Sequence, residues 1–229
     1  MKKNVKVNQF LKAGQKSLGE QKLEDAMNDF FQAYKLDSEN PEVNYFLGIT
    51  YIKLEEYDLG IDHLENVLAS ELAYINKVHA QMILGYVYTV REEYEKALPL
   101  FKWIVKSGFD SAQAYAAIGF IMDRMGDFKK AVMYLYRAVE INPKNANAHN
   151  SLGYIFAEAN LNLEEALKEC KTAVALDKNN PAYLDSLGWV CYKLGKMSQA
   201  RSYLNKAHKK ASSNEEINAH LRVVNDHFQ

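Results

Sequence analysis

The side chains that could carry catalysis in this 229-residue sequence are scattered rather than assembled. Six histidines, His63, His79, His149, His208, His220 and His227, could ligate a metal or move a proton, yet none stands at metal-ligand spacing. Cys170 and Cys191 are the only cysteines and form no CxxC pair. Both fall on helix positions expected to be buried, and a bridge between them would require Cα atoms within about 7 Å. The acid pairs Glu55–Glu56 and Glu92–Glu93 stand beside turns, where solvation accounts for them better than acid–base work. The sequence holds no glycine-rich phosphate loop, dinucleotide fingerprint, zinc-protease helix or serine nucleophile elbow. The expectation is a non-enzymatic chain with no catalytic, cofactor or metal site, whose chemistry is that of recognition.

The elements that must position any recognition surface are set by a ruler of glycines. Gly14, Gly48, Gly85, Gly119, Gly153 and Gly188 stand 34, 37, 34, 34 and 35 residues apart. So regular a period is the mark of a stacked repeat array. Each glycine is expected near the start of a helix, preceded by Ala13, Leu47, Leu84, Ile118, Leu152 or Leu187. Twelve residues on (thirteen in the fifth copy) comes a small residue: Ala26, Gly60, Ala97, Ala131, Ala166 or Ala200. Four further lies Phe30, Leu64, Phe101, Leu135, Cys170 or Leu204, and three beyond that Ala33, Val67, Ile104, Ala138, Ala173 or Ala207. Spacings of four and seven make one helical stripe. The small residues let two antiparallel helices approach closely, and the large ones fill the flanks. Gly19, Gly126 and Gly195 suit left-handed helix caps. Pro41, Pro143 and Pro181 suit helix starts, and Pro99 is expected near a first turn. Ser212 or Ser213 with Glu215 and Glu216 has capping-box spacing ahead of the stripe Ile217, Leu221, Val224, Phe228.

This small–aromatic–alanine pattern, clearest in Leu187–Ala207, resembles the tetratricopeptide repeat (TPR) family. The resemblance covers six copies, at 7–40, 41–77, 78–111, 112–145, 146–180 and 181–214, followed by a capping helix at 215–229. It implies an all-α fold: one right-handed α-solenoid of six helix pairs over 1–229. Irregularity is expected where residues are inserted, at Leu72–Lys77 and Asn160–Leu163. In this family the first helices line a concave groove, reached by the residue after each repeat glycine. That places Tyr45, Ile49, Met82, Tyr86, Phe120, Asp123, Asn150, Tyr154, Asp185, Trp189 and Tyr192 in a partner-binding groove, with His79 toward it. The groove would hold an extended peptide or helix; alternatively the rings fill gaps between neighbouring first helices. The carboxylate clamp by which some members hold chaperone tails is missing: Leu11, Gln15, Phe46, His79 and Ile83 cannot form it, and Ala116, Phe120, Ser151, Ala182 and Ser186 fail equally. The last third is similar to bacterial envelope-associated members, which implies an assembly or adaptor role.

The net charge of −1 conceals a polarity along the chain. Residues 1–19 hold five lysines and no acid, residues 20–71 thirteen acids against three lysines, and residues 186–229 seven basic against three acidic side chains. Such segregation could steer partners or favour head-to-tail self-association, the alternative to the groove. Near-neutrality overall argues against nucleic acid as the partner, despite the six basic residues from Lys193 to Lys210. No run of eighteen apolar residues exists to span a membrane. The N-terminal Met-Lys-Lys-Asn-Val-Lys lacks the apolar core of a secretory signal. The expected compartment is cytoplasmic, or the envelope if a signal precedes this sequence.

Overall fold

A computed structural model describes residues 2–71 and 73–227, and among them are thirteen helices and no strand. They are α1 (Lys2–Gly19), α2 (Leu23–Leu36), α3 (Pro41–Lys53), α4 (Tyr57–Ala69), α5 (Tyr74–Val90), α6 (Tyr94–Lys106), α7 (Ala112–Arg124), α8 (Phe128–Ile141), α9 (Ala146–Glu158), α10 (Leu163–Leu176), α11 (Pro181–Lys193), α12 (Met197–Lys210) and α13 (Glu215–Asp226). The fold is that of a helical repeat protein. The chain divides into two compact units, Met1–Ile104 and Val105–Gln229, the division falling inside α6. Phe228 and Leu72 lie outside the described residues.

The repeat glycines lie in the body of the first helices rather than near their starts, because they mark the crossing with the second helices. A Cβ built on Gly14 would meet the Phe30 ring at 2.5 Å, on Gly48 Leu64 at 2.6 Å, on Gly85 Phe101 at 2.6 Å, on Gly119 Leu135 at 2.6 Å and on Gly188 Leu204 at 2.7 Å. On Gly153 it would collide with the Cys170 sulfur. Each obstacle is the large residue of the stripe, four positions after the small one. That stripe is the core: Phe30, Leu64, Phe101, Leu135, Cys170 and Leu204 are all 0 % exposed. Burying such a side chain is worth about 1.5–3 kcal/mol. Ala13, at the matching position of the first repeat, is exposed. Both cysteines are buried free thiols, and burial pushes the Cys170 thiol well up.

The turn inside each pair places one left-handed residue seven positions after the repeat glycine: Gln21, Glu55, Glu92, Gly126, Asn160 and Gly195. Gly126 and Gly195 are left-handed as expected, but Gly19 is the last residue of α1 and Gln21 takes the positive φ. The pair geometry therefore imposes this conformation whatever residue stands there. A non-glycine residue pays about 1–2 kcal/mol for it, against about 0.4–1 kcal/mol lost through the freer unfolded chain when glycine is introduced. Glu92→Gly is thus expected to stabilise by up to about 1 kcal/mol. A lowered melting midpoint would refute this reading of the turn.

Other local signals resolve differently from the sequence expectation. Pro41 and Pro181 are first residues of α3 and α11, each behind an asparagine cap, Asn40 or Asn180. Pro143 instead lies in the turn before α9, and Asn145 caps α9 through the Ala148 amide. Pro99 lies within α6 rather than in its first turn, so the Glu95 carbonyl loses its usual helical donor. Asn214, not Ser212 or Ser213, caps α13 by accepting from the Ile217 amide. The residues inserted before the third repeat lengthen α5 at its N-terminal end, where Tyr74 packs its ring 5.8 Å from that of Trp103. The extra residue of the fifth repeat is absorbed by a turn with two left-handed asparagines, Asn160 and Asn162.

Candidate functional site

In the unit Val105–Gln229 the first helices α7, α9 and α11 lie side by side, α9 touching both neighbours. The glycine side of each faces its second helix, and the next residue along emerges about 100° around the helix, to the side of that crossing. Those residues are Phe120, Tyr154 and Trp189, and all three are half-buried. The Arg124 guanidinium sits 5.3 Å above the Phe120 ring. Tyr154 donates its hydroxyl to Glu216 Oε1 at 2.7 Å, and Trp189 donates its indole N–H to Glu158 Oε1 at 2.5 Å. Trp189 also carries a stack: Tyr192 at 4.9 Å between centroids and His220 at 4.1 Å, both nearly parallel to it.

His220 and Glu216 belong to α13, which packs on α11 and α12 and reaches over the same face. Neither was expected at the site, although their spacing of four residues puts both on one face of the terminal helix. His220 Nδ1 bonds Asp185 Oδ2 at 2.9 Å, fixing the position of its ring against Trp189. Beside this stack opens a cavity of about 230 Å³, whose lining includes Phe120, Asp123, Asn150, Tyr154, Asp185 and Glu216. Five of the groove residues expected from the sequence thus share one cavity, and Trp189 and Tyr192 stand next to it in the ring stack.

The electrostatics of this site are those of buried acids. Burial raises the Asp185 carboxyl above the usual carboxylate range, with the His220 bond opposing it. Asp123 is raised for the same reason, with Arg124 opposing and Glu158 reinforcing. The Tyr154 hydroxyl is pushed well up, by burial first and then by its bond to Glu216.

In the unit Met1–Ile104 the same register gives a different result. Tyr45 and Ile49 are each only 7 % exposed, packed into the protein rather than presented. Tyr45 meets His79 Nδ1 with its hydroxyl at 2.6 Å, and its ring packs edge-on to Phe46. Burial raises the Tyr45 hydroxyl and lowers His79, the latter helped by Lys53. Met82 is half-buried, and Tyr86 is 43 % exposed with its ring at an edge-on angle to Phe101. Tyr45 therefore behaves as a gap-filling ring, whereas Tyr86 presents a free face.

The remaining histidines are held inside polar pairs. His63 Nδ1 lies 2.8 Å from Asn44 Oδ1, and His208 Nδ1 lies 2.7 Å from Asn218 Oδ1. His149 pairs with Glu169, and its other ring nitrogen lies 3.0 Å from the Pro143 carbonyl. His227 Nδ1 meets the Val223 carbonyl at 3.0 Å.

Comparison with known proteins bears on this architecture. The tetratricopeptide repeat family matches residues 112–145. BBSome complex member BBS4 of Bos taurus is 24 % identical over 185 residues, 80 % of this chain and 34 % of that protein. A TPR repeat-containing protein of Pseudomonas aeruginosa is 33 % identical over 101 residues, 44 % of this chain and 17 % of its own length. The chain thus spans about a third of the first of these relatives and about a sixth of the second. The crystal structure of YrrB, described as a TPR protein with an unusual peptide-binding site, superposes with a TM-score of 0.58 at 20 % identity, covering 82 % of this chain and 95 % of that one. Residues 112–145 match a tetratricopeptide repeat, and with the paired helices and glycine crossings that recur on either side of them the chain is similar to tetratricopeptide repeat proteins.

Proposed function

We propose that this chain is a non-catalytic adaptor that holds an extended peptide or a helix of another protein across the face formed by α7, α9 and α11. The observation that carries this reading is the cavity beside the ring stack, where Phe120 and Tyr154 are joined by buried acceptors rather than closed over by side chains. Grouped, partly exposed rings with a few placed polar groups are what peptide-binding surfaces use. That YrrB carries a peptide-binding site on the same fold supports it.

Phe120 is the informative residue, because among the described residues the group set over its ring is the exposed side chain of Arg124. Trp189 and Tyr154 also hold α13, so replacing them would confound binding with folding. Phe120→Ala is expected to keep the helical circular dichroism spectrum and to weaken capture of partner proteins from native extract by tenfold or more, the effect of a central aromatic anchor. Undiminished capture by folded Phe120→Ala would refute the groove.

A further inference from the structure

Asp185 is buried with half of its acceptor capacity unused. Oδ2 takes the bond from His220, but Oδ1, on a residue only 4 % exposed, has no hydrogen-bond partner among the described residues. An unpaired buried acceptor is costly, and a charged one most of all. Asp185 is also part of the cavity wall, as is Asn150, whose Oδ1 is a second buried acceptor without a partner among the described residues. Asp123 and Glu216 add two more acids to the wall, and Arg124 is the single cationic residue among those lining it. The unmet demand is for a donor that brings positive charge. Phe120 and Tyr154 supply apolar walls for a hydrocarbon stem, and about 230 Å³ is several times the roughly 30 Å³ a water molecule occupies in the liquid.

We propose that this cavity receives a lysine or arginine side chain from an extended basic segment of a separate partner protein, its ammonium or guanidinium donating to Asp185 Oδ1 and Asn150 Oδ1. The inference rests on the groove reading above and names the chemistry of its occupant. A cation there completes the acceptors left bare among the described residues, and the other acids of the wall draw it in.

The test is a positional-scanning set of fluorescein-labelled heptapeptides, one position at a time fixed as Lys, Arg, norleucine, Gln or Glu, titrated by fluorescence polarisation against the full chain. Wild type is expected to prefer Lys or Arg over norleucine at one position by tenfold or more, the scale of a charge-assisted hydrogen bond. Asp185→Asn keeps an acceptor for His220 and is expected to erase that preference while apolar flanks still bind. Asp123→Asn with Glu216→Gln, the other two acids of the wall, is expected to reduce it severalfold, and decides the matter if Asp185→Asn does not fold. No basic preference in wild type, or one that survives these substitutions, overturns the proposal. A peptide copying residues 2–16 of this chain serves as a competitor; if it outbinds every library member, the occupant is a second copy and the separate partner falls. Failure of the groove reading looks different: Phe120→Ala would bind all peptides as wild type does, with the basic preference intact.

Discussion

Replacing Glu169 alone by leucine is expected to destabilise the protein by about 3–5 kcal/mol, whereas replacing Glu169 and His149 together costs far less. Both side chains are more than nine-tenths buried, and they join α9 to α10. The second ring nitrogen of His149 faces the Pro143 carbonyl at 3.0 Å. A carbonyl can only accept, so that nitrogen donates, and the remaining proton of the pair lies between the ring and the carboxylate. Glu169→Leu strands a buried imidazole nitrogen, and His149→Leu strands both a buried carboxyl and the Pro143 carbonyl. The double leucine variant removes both halves of the pair, leaving only the carbonyl to lose about 1–3 kcal/mol. Against a typical domain stability of 5–15 kcal/mol, either single change takes a large fraction. Urea unfolding in a Trp103→Phe background lets Trp189 report on the unit that contains the pair. Single-mutant losses that simply add in the double variant would show that the pair is not coupled and would sink this account.

The repeat was legible in the sequence because each of its positions answers to a distance. A second helix can cross at Gly119 only if the residue there lacks a Cβ, and Leu135 fills the space beside it only if Ala131 is small. Composition and spacing record such demands directly. The turns were less legible, since the pair geometry forces a positive φ on Gln21, Glu55 and Glu92 without asking for glycine. Only Gly126 and Gly195 advertise it. The candidate site was legible in register but not in exposure. Tyr45 and Tyr86 belong to the same repeat scheme, yet one hydroxyl is tied to His79 while the other ring stands 43 % exposed. In the other unit the outcome at Trp189 and Asp185 depends on His220, some thirty residues downstream. Nothing in a single repeat announces that a terminal helix will stack a histidine on its tryptophan. The sequence pattern identifies the first-helix face, and long-range contacts decide which of its residues remain available.

The same distances make the repeat glycines the most sensitive backbone positions, and Gly153 the most sensitive of them. Gly153→Ala is expected to destabilise by about 2 kcal/mol, while Gly19→Ala stabilises by about 0.5–1 kcal/mol. Alanine improves helix propensity at either position by up to about 1 kcal/mol, so the difference isolates the crossing. At Gly19 a new Cβ meets nothing within 4 Å, and the backbone is not left-handed. At Gly153 it runs into the Cys170 sulfur and also lies 2.8 Å from the Ala166 carbonyl oxygen and 3.1 Å from the Cys170 amide nitrogen. At Gly85 the nearest obstacles are ring atoms of Phe101, which can yield through side-chain rotation. Two of the three obstacles at Gly153 are backbone, so α10 itself must move away from α9. Overpacking of that kind costs about 1–3 kcal/mol or more, which exceeds the propensity gain. Thermal melts of the two variants should therefore shift in opposite directions, and a Gly153→Ala midpoint at or above wild type would contradict the close crossing. Adding Cys170→Ala to Gly153→Ala removes the sulfur but leaves the Ala166 carbonyl in place. It is expected to restore only part of the loss, because the limit on the approach of the two helices is set by backbone.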